Sequence, residues 1–325
     1  MENKDKQPLI IISGPTAVGK TASSIKLAKA INGALISADS MQVYKGMDIG
    51  TAKITKEEMD GVKHFLIDCL DPKDEFNVMV FKEMALKAIE EIRQEGKIPI
   101  VVGGTGFYVQ ALLDDVEFTK QEDDNNEYRN SLYEFAKEYG NEALHKKLEE
   151  VDAESARTIH ANNVKRVCRA LEYFHQTGQQ FSKHNESQKL RSSPFNFAYF
   201  VLNDDRDALY ERIDKRVDKM FLEGLVSEVE KLAKMGYTKD LVSMQGIGYK
   251  EIFDYLNGEC SLEESKDIIK RDTRRFAKRQ LTWFRREKDC IWLNIKDYNY
   301  DFDKIIDVML LEIKERAIIG GISWN

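Results

Sequence analysis

The chain has 325 residues, 42% of them apolar and 32% charged, with a formal net charge of −7. That length allows one large domain or two ordinary ones with a sizeable core. It excludes a helical membrane span, since no apolar run approaches the roughly 20 residues such a helix needs, and the mixed-charge start Met1–Lys6 is not expected to be a signal peptide.

The first element is the apolar run Leu9-Ile10-Ile11-Ile12, ending at Ser13. It feeds directly into Gly14-Pro15-Thr16-Ala17-Val18-Gly19-Lys20-Thr21, which fits the phosphate-loop pattern G-x-x-x-x-G-K-[ST]. An amphipathic helix is predicted after it, from Ala22 to Ile31. Strand, glycine loop and helix in that order are the context the motif requires. Loop amides and a helix N-terminus favour an anion, Lys20 adds charge, and the Thr21 hydroxyl can ligate magnesium. Taken alone, the loop suggests ATP.

A second strand is predicted over Ala34–Ala38, running into Asp39-Ser40, and a third over His64–Ile67, ending at Asp68. Phe81, Met84, Ala85, Ala88, Ile89 and Ile92 then recur at helical spacing, with Glu95-Gly96 as the C-terminal stop. A fourth strand, Ile98–Val102, ends at Gly103-Gly104-Thr105-Gly106. Strands alternating with helices predict an α/β fold with a parallel sheet.

After about Val116 the alternation stops. The stretch Thr119–Asn130 is polar and acidic, and Tyr128 to about Ser182 reads as helical, with Leu132, Phe135, Leu144, Leu148, Ile159, Val167, Leu171 and Phe174 on the apolar faces. A strand returns at Phe195–Leu202, and a short one follows at Cys290–Leu293. The expected organisation is a discontinuous core, 1–115 with 196–325, interrupted by an all-helical insertion over 116–195. Four well-separated cysteines and five histidines show no metal-ligand or disulfide spacing. Free thiols in a reducing cytoplasm are the expectation.

In an open parallel sheet, ligands bind beyond the carboxyl ends of the strands. This predicts that the phosphate loop, Asp39, Ser40, Gln42, Asp68, Thr105, Asp204, Asp205 and Arg206 share one crevice. Asp39 is either a metal ligand or general base, or a helix N-cap. Asp68 is either a Walker-B-type acid or a turn residue. The Gly103–Gly106 run allows a close approach or is a plain turn. Arg206 is either a bidentate clamp on a diphosphate or half of a surface ion pair.

Charge is unevenly spread. Lys266–Lys288 holds ten Lys and Arg against three acids, a net +7, leaving −14 elsewhere. Such a basic face on an acidic body fits a polyanionic partner or a plain solvated surface. Lys165, Arg166 and Arg169 form a second basic cluster. Phe276, Trp283 and Phe284 among the cations are expected to hold their helix on the core.

Several longer segments then resemble the tRNA dimethylallyltransferases. They are the phosphate loop, Ser37-Ala38-Asp39-Ser40-Met41-Gln42-Val43-Tyr44-Lys45-Gly46-Met47-Asp48-Ile49-Gly50-Thr51-Ala52-Lys53, Val102–Tyr108, Arg166–Glu172, Gly246-Ile247-Gly248-Tyr249-Lys250 and Ala277–Phe284. The resemblance spans about residues 9–295 and implies a P-loop NTPase-like core with a helical domain that grips the anticodon stem-loop. It implies transfer of a dimethylallyl group from dimethylallyl diphosphate to the exocyclic amine of adenosine 37 of tRNA, releasing diphosphate, in the cytoplasm and with Mg2+. By the same resemblance Asp39 is the general base. Thr16 and Arg206 assist catalysis, and Gly14, Pro15, Thr16, Ala17, Val18, Gly19, Lys20 and Thr21 cradle the diphosphate, Thr21 standing near the metal. Asp39, Ser40, Met41, Gln42, Thr105, Asn163, Val164, Lys165, Arg166, Val167, Lys278, Arg279 and Gln280 meet tRNA.

Met41 departs from the pattern, since many relatives carry arginine there. The chain lacks the zinc-finger spacing of many eukaryotic relatives and resembles the bacterial form. A monomer is the default expectation. The competing readings are a P-loop small-molecule kinase, an adenylate isopentenyltransferase that prenylates a free nucleotide, and an RNA-binding NTPase without transfer chemistry.

Overall fold

In a computed structural model, residues 6–115, 127–189 and 192–319 are described. Six parallel strands form one sheet: β1 (Gln7–Ser13), β2 (Gly33–Ser37), β3 (His64–Phe65), β4 (Ile98–Gly103), β5 (Phe195–Asn203) and β6 (Cys290–Asn294), in the order β3-β2-β4-β1-β5-β6. β1 is central because Leu9, Ile10, Ile11 and Ile12 are fully buried on both sheet faces, the continuous apolar run expected of a parallel strand covered twice. One face packs on Phe81, Ala85, Ile89 and Ile92 of the helix Val78–Gln94. The other packs on Leu27 and Ala28 of the helix Lys20–Ala30 and on Ile305, Met309 and Ile313 of the helix Phe302–Glu315.

Pairing places β1 between β4 and β5. The loop leaving β1 is therefore flanked by the turns leaving those two strands, although the three segments lie far apart in sequence. Helix ends are well specified. Asn77 accepts from the amides of Met79 and Val80 at the start of Val78–Gln94, and Gly96 takes φ +70° past its end. Ser261 and Glu264 form a reciprocal capping box at the start of the helix Leu262–Phe284.

The chain divides into one unit of Met1–Leu113 with Pro194–Asn325 and another of Asp114–Ser193; the boundaries expected from sequence were 115/116 and 195/196. Of the polar, acidic stretch expected over Thr119–Asn130, residues 119–126 lie outside the described residues and the rest begins the helix Glu127–Tyr139. The second unit contains the helices Glu127–Tyr139, Asn141–Val151, Ala153–Thr158, Val164–Thr177 and Phe181–Lys189. Its own core gathers Leu132, Leu144, Leu148, Ile159, Val167 and Leu171. Buried Asp152 ties it together, accepting from the Ser155 and Ser182 hydroxyls and amides. Among the described residues no helix is long and apolar enough to cross a membrane.

Candidate active site

The phosphate loop is built by constraint on all sides. At Gly14 the backbone has φ +146°, and a Cβ there would lie 2.5 Å from the carbonyl oxygen of Leu202 in β5. Ala17 sits at φ 65°, a left-handed conformation that costs a non-glycine residue about 1–3 kcal/mol. Its carbonyl is held by Arg212 Nε at 3.0 Å, and the Arg212 guanidinium is in turn paired with buried Asp204. Lys20 Nζ donates to the carbonyls of Gly14 at 3.0 Å and Pro15 at 2.8 Å. The residue as a whole is half-buried, yet desolvation of the ammonium, aided by the nearby Arg216 charge and opposed by Asp39, pulls its pKa down to about 7. An ammonium destabilised in this way gains most when an anion arrives beside it.

Beside the loop lies a cavity of about 330 Å³. Its polar lining includes Thr16, Asp39, Ser40, Thr105 and Arg216, and its apolar lining includes Met41, Val217, Met220, Ile247, Ile269 and Phe276. A lining that combines charged and hydroxyl-bearing groups with aliphatic surface suits an amphiphilic ligand with an anionic head. Asp39 Oδ1 accepts from the amides of Met41 at 2.8 Å and Gln42 at 3.3 Å. Those bonds close a turn with no helix after it, so Asp39 is not a helix N-cap, and they fix the carboxylate while leaving Oδ2 without a donor among the described residues.

The arginine assignment needs correction. Arg206 is exposed at the first position of the helix Arg206–Glu223 and lies over the Tyr210 ring, 5.1 Å from its centroid; it does not line the cavity. Ten residues further along that helix, Arg216 does, with Nη1 3.4 Å from the Thr16 hydroxyl. The strand-end rule favoured the first cation after β5. The helix instead lays its Arg212 and Arg216 side chains on the loop, at Ala17 and Thr16. Sequence reasoning missed both, although a pair of arginines at i, i+4 on one helix face was a readable signal.

Other expected members of the crevice are spent elsewhere. Asp68 and Asp48 both pair with buried Lys53, so Asp68 acts as a structural counter-charge. Asp205 pairs with Lys296. Gln42 donates from Nε2 to the carbonyls of Thr51 and Ala52, bracing the loop that supplies Gly50, Thr51 and Ala52 to the cavity wall. That loop has a second anchor not foreseen from sequence. The Glu228 carboxylate accepts from the amides of Asp48, Ile49 and Gly50 and from the Tyr249 hydroxyl at 2.6 Å. Burial, and then the Glu228 charge, raise the Tyr249 phenol well above its ordinary pKa, so it stays a donor.

Two residues leave the RNA-facing set. Val167 is fully buried in the helical unit's core, because its position on Val164–Thr177 points inward; Asn163, Lys165 and Arg166 beside it are exposed, and Val164 is half-buried. Arg169, counted in the same basic cluster, pairs with buried Glu172, as does Arg129. Gln280 is buried and bonded inside the core unit at both ends of its amide. On its helix, Lys266 and Lys270 pair with Asp218, Arg274 with Asp214, and Arg271 and Arg275 with Asp272. Lys278 and Arg279 have no carboxylate partner among the described residues, and with Thr282, Trp283 and Arg286 they line a shallow groove of about 200 Å³. The usable basic patch is thus smaller than the charge count suggested.

The model of the IPP transferase family matches residues 42–287. A curated tRNA dimethylallyltransferase from Lachnoclostridium phytofermentans is 59% identical over 313 residues, covering 96% of this chain and 99% of that protein. The chain belongs to the tRNA dimethylallyltransferases. A solved full-length tRNA isopentenylpyrophosphate transferase from Bacillus halodurans is 46% identical with a TM-score of 0.72, over 96% of this chain and 98% of that one. A eukaryotic dimethylallyltransferase solved while acting on tRNA is 30% identical with a TM-score of 0.82, over 96% of this chain and 79% of its own. As a member of this prenyltransferase family the chain carries a P-loop-like parallel sheet, and the kinase and NTPase readings of its phosphate loop give way to transfer of a prenyl group.

Proposed function

We propose that the cavity beside the phosphate loop joins dimethylallyl diphosphate to the exocyclic amine of adenosine 37 in tRNA. The observation that carries this reading is one carboxylate, Asp39, lining a cavity together with Arg216 and Thr16 of the phosphate loop, with Lys20 held on that loop's Gly14 and Pro15 carbonyls. Asp39 has one oxygen tied to the backbone and the other without a donor among the described residues, which leaves it placed to accept a proton.

In the reaction the C1–O bond of the donor breaks, a C1–N bond to the adenine amine forms, and the amine proton passes to Asp39 Oδ2. The electron pair of the broken bond leaves on the diphosphate, whose growing charge Lys20, Arg216, Thr16 and the loop amides stabilise. Met41, Val217, Met220 and Ile247 exclude water from the allylic carbon. A base paired or stacked in an anticodon loop must leave its stack to reach such a cavity. The groove of Lys278 and Arg279, with exposed Lys165 and Arg166 in the helical unit, supplies cations for RNA phosphates.

Among the described residues there is no cluster of three side chains able to hold a metal. Of the loop's two hydroxyls, that of Thr16 lies beside Arg216, and the exposed Thr21 hydroxyl at the start of Lys20–Ala30 would be the one to hold a metal. This fits Mg2+, which keeps mostly water and phosphate oxygens as ligands; its chemistry would be charge neutralisation of the diphosphate.

The test is incubation of the full chain with radiolabelled dimethylallyl diphosphate, magnesium and unmodified tRNA, beside AMP and ATP controls. Label is expected on tRNA. Label on AMP alone would favour an adenylate isopentenyltransferase and overturn this reading.

A further inference from the structure

In the phosphate loop the amide of Thr16 is already bonded to a side chain. The Thr16 N–H donates to Gln280 Oε1 at 2.9 Å, and Gln280 Nε2 donates to the Gly104 carbonyl at 3.0 Å. Gln280 reaches in from the basic helix Leu262–Phe284 across more than 260 residues of sequence, and only 6% of it is exposed. The space is already filled: a Cβ on Gly104 would lie 2.1 Å from Nε2. The Thr16 hydroxyl, on the same residue, meets Arg216 at the cavity wall.

We infer that Gln280 is a positioning residue: a carboxamide clip that withdraws the Thr16 amide from the anion cradle, turns the Thr16 hydroxyl toward the diphosphate, and locks the loop after β1 to the turn after β4. The chemistry allows few substitutes. The clip needs an acceptor and a donor on one planar group. Glutamate would set a second acceptor against the Gly104 carbonyl, and methionine fills the volume while making neither bond. Leaving a buried amide and a buried carbonyl unpartnered carries a penalty large enough to be read kinetically. The clip also explains why residue 104 is glycine, since any side chain there would expel the amide.

The inference rests on the functional reading above, and its experiment separates the two. Gln280→Met and Gln280→Glu are made in the full chain. Transfer kinetics give kcat and KM for dimethylallyl diphosphate, filter binding gives the Kd for tRNA, and calorimetry gives the affinity for inorganic diphosphate. Both variants are expected to raise the donor KM and weaken diphosphate binding about ten-fold or more, with the tRNA Kd within about two-fold of wild type. The activity ratio of Gln280→Glu to Gln280→Met should rise as the pH is lowered, because a protonated glutamate can donate to Gly104 again. Gly104→Ala, which displaces the amide while keeping Gln280, should give the same signature, and combined with Gln280→Met its loss should be non-additive. That variant also decides the matter if the Gln280 variants do not fold. Weakened tRNA binding with an unchanged donor KM would make Gln280 an RNA contact and overturn the clip, as would additive losses or wild-type kinetics. Failure of the wild-type chain to transfer at all would count against the functional reading, while diphosphate calorimetry would still test the clip.

Discussion

Lys20 makes binding of the diphosphate a proton-coupled event. Its pKa is lowered from 10.5 to about 7, a difference worth at most about 5 kcal/mol at roughly 1.36 kcal/mol per unit. The causes are desolvation and the Arg216 charge. A bound diphosphate counters both and restores the charged form. The sign is fixed by the direction of the shift. Above about pH 7 Lys20 is mostly neutral before binding and charged after it, so binding takes up a proton. Below that pH it is already charged and takes up little. At pH 8 roughly nine in ten Lys20 side chains are neutral, and at pH 6 roughly one in ten. Calorimetric titration with diphosphate in buffers of different ionisation enthalpy should show nearly one extra proton taken up at pH 8 and almost none at pH 6. Lys20→Met subtracts the titration of diphosphate itself. Equal uptake at the two pH values after that subtraction, or the same uptake in wild type and variant, would refute the argument that Lys20 is held near neutrality.

Three further outcomes follow from the site. Arg216→Gln should lower the transfer rate about 100- to 1,000-fold, the loss typical of one donor to developing negative charge, while Arg206→Gln stays close to wild type in the same assay; comparable losses would contradict the placement of Arg216 in the cavity. Glu228→Gln sets an amide N–H2 among three backbone donors and the Tyr249 hydroxyl, and should destabilise the fold by about 2 kcal/mol in chemical denaturation; an unchanged denaturation midpoint would remove Glu228 as the anchor of the 48–52 loop. Replacing Lys278 and Arg279 together by alanine should flatten the plot of log tRNA affinity against log salt by between about 0.7 and 0.9 per cation; an unchanged slope would place the RNA elsewhere.

Much of the fold could be read in the sequence, for local reasons. Most strands contain a short continuous apolar run, though β3 is only His64–Phe65 where His64–Ile67 was expected, and the phosphate loop is a contiguous motif whose glycines and lysine act within a few bonds of one another. The helix Val78–Gln94 shows its buried face as a 3.6-residue period. Asp39, Ser40 and Thr105 could be placed because strand ends in a parallel sheet share one edge. The errors arose where a side chain's destination depends on another element. Arg206 and Arg216 are the same residue type on one helix, and only the path of that helix over the phosphate loop separates them. From sequence Asp68 is open between a Walker-B-type acid and a turn residue, and only its pairing with buried Lys53 decides against the acid. The charge of Lys266–Lys288 looks available until Asp214, Asp218 and Asp272 are seen to neutralise half of it.

By itself, then, the sequence determined the α/β sheet, the helical insertion and an anion loop with an acid after the next strand in the chain, because backbone propensity, periodicity and contiguous motifs are local properties. The tertiary structure decided which cation reaches the cavity, which acids are already paired, and that Gln280 serves the phosphate loop from the far end of the chain. Those outcomes depend on distances of about 3 Å between residues as far as 264 positions apart, and no local pattern encodes such a distance.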